Sequence, residues 1–258
     1  MKRLFRAECV RLRRSAAFWL ALAAMLAVSC ALMIMQSTAM DYSVPLSRVV
    51  FLPLSMYGIA AAAFVSVFIG ADFSDGFIRN KLLAAAKRRD YVLPEIAVAC
   101  MGCAVIYAVV TLFSAAVARS FFVNDIAPAA LGGHFLLGLA MALATGCLFS
   151  VIALLCGSKA KSAILCMALA FGMLFLCMHT SEIVSQAPLR GGAPNPHYVG
   201  GFRRQLSELL HDLNPYGQAA QLSTWRVLHP ARAAIIDLVW IVALPAIGCT
   251  LFERKDIR

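Results

Sequence analysis

Nine cysteines, five histidines and thirteen carboxylates are the side chains of this 258-residue chain with the chemistry for catalysis or metal binding. Cys30, Cys100, Cys103, Cys147, Cys156, Cys166, Cys177 and Cys249 all fall in apolar runs, and Cys9 lies in a basic N-terminal segment. No cysteine lies in the longest polar stretch, where a disulfide framework would be needed, so they read as small apolar packing residues. Cys100-x-x-Cys103 has neither a βαβ context nor a second pair to complete a metal site. Ser114 and Ser150 have no histidine at matching depth to activate them. His179, His197, His211 and His229 gather around one polar stretch without ligand spacing, and His134 opens an apolar run as an interfacial polar residue. Glu95 and Asp237 sit near the ends of apolar runs, where hydration is cheap, so an interfacial position is expected for both. Cys156-Gly157-Ser158-Lys159 lacks the upstream glycine of a phosphate-cradling G-x-x-x-x-G-K-[ST] loop, and no such loop occurs elsewhere. No catalytic constellation emerges, and neither a metal site nor a cofactor bound by this chain is expected.

The composition explains why so few reactive groups stand in the open. Apolar residues make up 62% of the chain and charged residues 14%, against about 45–50% and about 25% in soluble domains. Mean hydropathy is +0.81. These values exclude disordered, collagen-like and small disulfide-stapled classes and point to lipid as the main solvent. A helix needs roughly 20 apolar residues to cross the bilayer core. Six segments qualify, at about 15–35, 50–71, 92–118, 129–156, 163–180 and 233–252, the third being longest and the fifth shortest. The first exceeds the h-region of a signal peptide and reads as a retained span, despite Ser37-x-Ala39. The net charge of +10 then reflects topology rather than nucleic-acid binding. With the N-terminus inside, 16 Lys and Arg fall on the cytosolic side and 7 outside. The expectation is one all-α transmembrane domain over residues 1–258, multi-pass in the cytoplasmic membrane, with six helices and both termini cytosolic.

The connecting segments are distinctive. Met1 to Arg14 is basic and amphipathic, so Leu4, Phe5, Val10 and Leu12 are expected in the membrane interface with the arginines toward headgroups. After the second span the chain reads Asp72-Phe73-Ser74-Asp75-Gly76-Phe77-Ile78-Arg79-Asn80-Lys81-Leu82, then Lys87-Arg88-Arg89. Asp72 or Ser74 is suited to cap a short helix from Phe77, with Ile78, Leu82 and Ala85 in one row and Arg79, Asn80 and Lys87 displayed. Such a helix can dock on a soluble partner. The outer loop, about 181–231, opens with Pro188, Gly191, Gly192, Pro194 and Pro196. It continues as an amphipathic helix with Phe202, Leu206, Leu209, Leu210 and Leu213 on one face, opposite Arg204, Glu208 and His211. That helix is either an outer gate or a segment lying on the membrane. Gly138, Ala142 and Gly146 form a small-residue stripe for close helix contact, within the chain or with a second copy, and Pro245 can kink the last span. The scarcity of charges inside the spans argues against an ion-coupled carrier and suits a hydrophobic or amphipathic cargo.

The Asp72–Leu82 run resembles the loop after the second span of ABC-2 type transporter permeases, roughly D/E-F-S-x-G-T-I-R-N-K-L. Glu8-x-x-Arg11-Leu-Arg-Arg-Ser15, Asn214-Pro215-Tyr216-Gly217-Gln218 and the ending Phe252-Glu-Arg-Lys-Asp-Ile-Arg258 fit the family's layout in the same order. The chain departs with Phe77 where Thr is common and Ala84-Ala85-Ala86 where a Gly often sits. The resemblance implies a non-enzymatic permease subunit of an ABC exporter whose loop couples to a separate cytosolic ATPase carrying ATP and Mg. It also implies a second permease subunit, in a homodimer or heterodimer, and an amphipathic cargo such as a peptide antibiotic or lipid. The rival reading is a non-transporting scaffold or sensor that recruits a cytosolic partner through the 72–90 loop.

Overall fold

The computed structural model describes residues 2–39, 44–84, 88–190 and 193–254. Helices hold 83% of the residues. In chain order they are α1 (Lys2–Arg14), α2 (Ala16–Ala39), α3 (Tyr57–Ser74), α4 (Phe77–Ala84), α5 (Arg89–Ala118), α6 (Pro128–Cys156), α7 (Lys159–Ser185), α8 (Gly201–Leu213), α9 (Pro215–Ser223) and α10 (Pro230–Glu253). A two-residue hairpin, β1 (Leu189–Arg190) with β2 (Ala193–Pro194), precedes α8. Two short 3₁₀ turns, Leu46–Arg48 and Leu52–Met56, lead into α3.

Among the described residues, six helical segments are long and apolar enough to cross a membrane: Ala16–Thr38, Leu46–Ser74, Arg89–Ala118, Pro128–Cys156, Lys159–Ser185 and Pro230–Glu253. They match the six expected runs, and the third, at 30 residues, is the longest. The fifth corrects the expectation: it is not the shortest but runs for 27 residues. In its polar end the Thr180 hydroxyl donates to the Leu176 carbonyl 2.9 Å away, within the helix. At its start Ser158 accepts the Lys161 N–H, directly after Gly157 ends α6 at φ +69°. The Cys156–Lys159 run is thus a stop-and-start junction between two helices. α10 continues through Pro245 as one helix.

α3, α5 and α6 form the centre of the bundle. The most apolar stretches of the Leu46–Ser74 and α6 segments are 61% buried, against 22% for α7 and α10. Tyr57, Phe64, Tyr107, Met141 and Phe149 fill the middle. Gly138 and Gly146 bring α6 hard against α5. A Cβ at Gly138 would collide with the Tyr107 ring, and one at Gly146 would meet the Cys100 Cα at 3.0 Å. The Gly138, Ala142, Gly146 stripe is buried inside this chain. Two buried hydroxyls find partners on other helices: Tyr57 donates to the Cys103 carbonyl at 3.0 Å, and Ser29 pairs with Ser114 at 2.8 Å.

The two amphipathic helices turn polar groups inward, α8 along its whole polar face and α1 at Glu8 and Arg11 only, while Leu12 of α1 is buried in the bundle rather than placed in the interface as expected. In α1, Glu8 and Leu12 are buried with Arg11 beside them, while Phe5 and Val10 are exposed. In α8, Ser207, His211 and Asp212 are buried, while Phe202, Leu206 and Leu209 are exposed. The expectation that the α1 arginines all point away is therefore corrected for Arg11. The polar side chains turn inward because each finds an ionic or hydrogen-bonding partner there. The apolar face of α8 is left to the surroundings.

Candidate functional site

The loop singled out by its sequence begins where α3 ends. Gly76 takes φ +72°, a left-handed conformation that glycine adopts without strain, and this lets the chain reverse from α3 into α4. Asp72 and Ser74 belong to the last turn of α3 and do not cap α4, contrary to expectation. Asp72 is drawn instead into ion pairs, and the Ser74 hydroxyl donates back to the Gly70 carbonyl at 3.4 Å. On α4, Ile78 is buried against the bundle, while Phe77, Asn80 and Leu83 are exposed beside exposed Asp75. Phe73 is partly buried against the core. The side chains of Arg79 and Leu82, and residues Ala85 to Lys87, lie outside what the structure describes.

Lys81 points the other way, into the protein. Its ammonium pairs with Asp72, with Glu8 at 2.6 Å and with Glu95 at 3.6 Å. Arg11 of α1 completes the cluster, pairing with Glu8 at 2.8 Å and with both Asp72 and Glu95, its guanidinium 3.9 Å over the Phe68 ring. Five ionisable groups from α1, α3, α4 and α5 therefore meet at one point. The carboxylates are almost fully enclosed, at 4%, 2% and 0% side-chain exposure for Glu8, Asp72 and Glu95. Glu95, expected where hydration is cheap, is instead wholly enclosed by protein. Its burial is tolerated because two cations face it, and an unpaired buried charge costs several kcal/mol. Next to the cluster, Arg89 grips Glu253 at 2.6 Å and Arg88 donates to the Glu253 carbonyl at 2.9 Å. The end of α10 is thereby fastened to the start of α5.

Oxygens of Glu8, Asp72 and Glu95 lie within 4.8 Å of one another, a spacing that a divalent ion accepts. Arg11 and Lys81 already occupy those oxygens, so the arrangement is an ion-paired joint rather than a metal cup. It carries no nucleophile or general base facing a cleft. What it can do is mechanical: a displacement of α4 pulls on three other helices through charged, short and directional contacts.

Comparison with protein families and with curated proteins finds no match for this chain.

A second polar network lies at the opposite end of the bundle and was not foreseen as a unit. Asp212 of α8 is fully buried and receives Arg232 of α10 at 2.5 Å and the Gln221 amide of α9 at 2.7 Å. Gln218 donates to the Asp212 carbonyl at 2.8 Å and to Asp237 at 3.0 Å. Asp237, expected at the interface, is thus buried on α10 with an amide partner. His211 meets the Thr180 hydroxyl at 2.9 Å, and burial lowers its pKa from the usual histidine value, with Asp212 pulling weakly the other way. Arg204 closes the end of α7 by donating to the carbonyls of Gln186 at 2.8 Å and Val184 at 3.2 Å. A Cβ at Gly217 would collide with the His211 carbonyl, so α9 folds tightly back on α8. The signal for this network was present in the chain, since Asp212, Gln218, Gln221, Arg232 and Asp237 are polar residues in or beside apolar segments. Their mutual pairing, across three helices, was not readable from spacing.

Proposed function

We propose that the chain is the membrane-spanning permease subunit of an ATP-driven ABC exporter for a hydrophobic or amphipathic compound, with the Asp72–Leu82 segment as its ATPase-coupling element. The observation that carries this reading is the dual character of α4. It offers Phe77, Asn80 and Leu83 to the outside, and through Lys81 it is tied to α1, α3 and α5. A helix built that way can receive force from a soluble partner and hand it to the spans. ATP and Mg belong to that partner, because no phosphate-cradling loop occurs in the sequence. The likeness of the loop to ABC-2 permeases supplies the class of partner, a cytosolic ABC ATPase, and the need for a second permease subunit. Cytosolic termini in the cytoplasmic membrane follow from the bias of basic residues.

The test is transport itself. Inverted membrane vesicles containing the chain and its native partners are given a fluorescent lipophilic peptide and ATP in the medium, the side on which their cytosolic face lies, and uptake into the lumen is followed. Movement that requires ATP and stops with vanadate is the expected result. A chain that recruits a cytosolic protein but moves no cargo in this assay is a scaffold, and the exporter reading falls.

A further inference from the structure

Asp237 stands apart among the enclosed carboxylates. It lies within the Pro230–Glu253 segment and is 2% exposed. Glu8, Asp72, Glu95 and Asp212 each face a cation, but among the described residues no cation pairs with Asp237. Arg232, earlier on α10, is spent on Asp212. On α8, His211 is taken by Thr180 and Glu208 by Arg204 at 2.9 Å. The titratable side chains of α9 and α6 are Tyr216, whose ring lies against Gly58, and His134, whose Nδ1 meets the Ala130 carbonyl, with Cys147 and Cys156. An ionised carboxyl left in such a place is far costlier than the neutral acid.

The hydrogen bonds mark where a proton fits. Gln218 sits in the first turn of α9, which Asn214 caps by accepting the Tyr216 N–H at 3.1 Å. Its Nε2 donates to the Asp212 carbonyl at 2.8 Å and to Asp237 Oδ1 at 3.0 Å. A carbonyl can only accept, so the Asp212 contact fixes which end of the amide is nitrogen. Both hydrogens of Nε2 are then used. What remains is the second atom of each group, Gln218 Oε1 and Asp237 Oδ2. Both are buried, and neither has a partner among the described residues. A primary amide carries its oxygen beside its N–H, as a carboxylic acid carries its O–H beside its carbonyl. An acid that meets an amide head-on can therefore close two hydrogen bonds in one ring. An ionised Asp237 leaves two acceptors there without a donor, whereas one proton on Oδ2 satisfies both.

We propose that Asp237 and Gln218 form a proton-binding site, in which Asp237 is held as the carboxylic acid and donates its Oδ2–H to Gln218 Oε1. The proton is then a latch between α9 and α10. Its loss sets a carboxylate oxygen against an amide oxygen inside the protein and drives α9 from α10, while Asp212 and Arg232 keep α8 on α10. The inference does not depend on the exporter reading.

The test is infrared spectroscopy of the chain in lipid vesicles at neutral pH, wild type against Asp237→Asn. The wild type is expected to show the C=O stretch of a protonated carboxyl that Asp237→Asn lacks, with the carboxylate bands of the two unchanged. Gln218→Leu keeps the acid but frees its O–H, and should move that band to higher frequency. Asparagine reproduces the neutral acid, its Oδ1 accepting and its Nδ2 donating. Asp237→Asn should therefore melt with the wild type, whereas Asp237→Leu, which keeps neither hydrogen bond, should melt lower. A carboxylate band lost from Asp237→Asn in place of an acid band overturns the proposal, whether water or a cation then meets the two oxygens. So does an acid band indifferent to Gln218→Leu, or a melting temperature lowered equally by asparagine and leucine.

Discussion

At the scale of single residues, the charges of this chain are placed where they neutralise one another rather than where water is available. Three carboxylates and two cations share the site at the α1–α4 end, so removing one cation strands buried negative charge. Arg11→Ala is expected to destabilise the fold by about 3–5 kcal/mol, the cost of breaking a buried pair from one side. A combined Arg11→Ala, Glu95→Gln variant should recover part of the loss in a thermal-unfolding double-mutant cycle. Additive losses would show that the two do not act together. At the other end, His211 faces Thr180, Asp212 and, through Asp212, Arg232. Burial lowers its folded pKa below the unfolded value of about 6.5, so the unfolded chain binds the extra proton as pH falls. Its contribution is complete above that unfolded value and is lost on acidification, with a slope of at most about 1.4 kcal/mol per pH unit. The melting temperature of wild type should therefore fall between pH 7 and 5 more steeply than that of His211→Gln. Parallel curves would remove His211 from the account.

At the scale of elements, the six long apolar helices were legible from run length alone, because spanning a bilayer sets a length that few other constraints imitate. The amphipathic periodicity of α1 and α8 was legible too, but which face turns inward was not. Periodicity reports that two faces differ; it does not report that Asp212 will find Arg232 twenty residues on, or that Arg11 will find Glu95 across 84. That Glu95 and Asp237 are enclosed rather than hydrated is hidden from the sequence for the same reason, since their compensating partners are remote in the chain. The helical reading of Phe77 onward matched α4, whereas the supposed caps were drawn into α3 by the pull of Arg11 and Lys81 on Asp72. The small-residue stripe carries a prediction at this scale. Gly146→Leu must push α6 from the backbone of Cys100, and overpacking of that kind costs about 1–3 kcal/mol. At about 2–4 °C per kcal/mol for a chain near this size, the melting temperature should drop by several degrees, while Gly133→Leu leaves it unchanged. Equal behaviour of the two glycine variants would contradict the packing described for α5 and α6.

At the scale of the whole molecule, two polar joints bracket an apolar bundle. One gathers α1, α3, α4 and α5 at the end where α10 finishes; the other gathers α7, α8, α9 and α10 at the opposite end. This layout concentrates the stiff, directional contacts at the ends and leaves the middle to close packing. The proposed orientation makes a direct statement about sidedness. In a cysteine-free background, Leu189→Cys should react with a membrane-impermeant maleimide on intact cells, and Cys9 alone should react only after permeabilisation. The reverse pattern would invert the topology. The central claim, that α4 is the seat of a cytosolic ATPase, is tested most directly by purifying the tagged chain from its native membrane and identifying what comes with it. The account predicts a stoichiometric P-loop ATPase that is lost from the Arg79→Ala, Asn80→Ala variant while the variant still folds and reaches the membrane. A folded, membrane-inserted wild-type chain that brings down no such ATPase would contradict it.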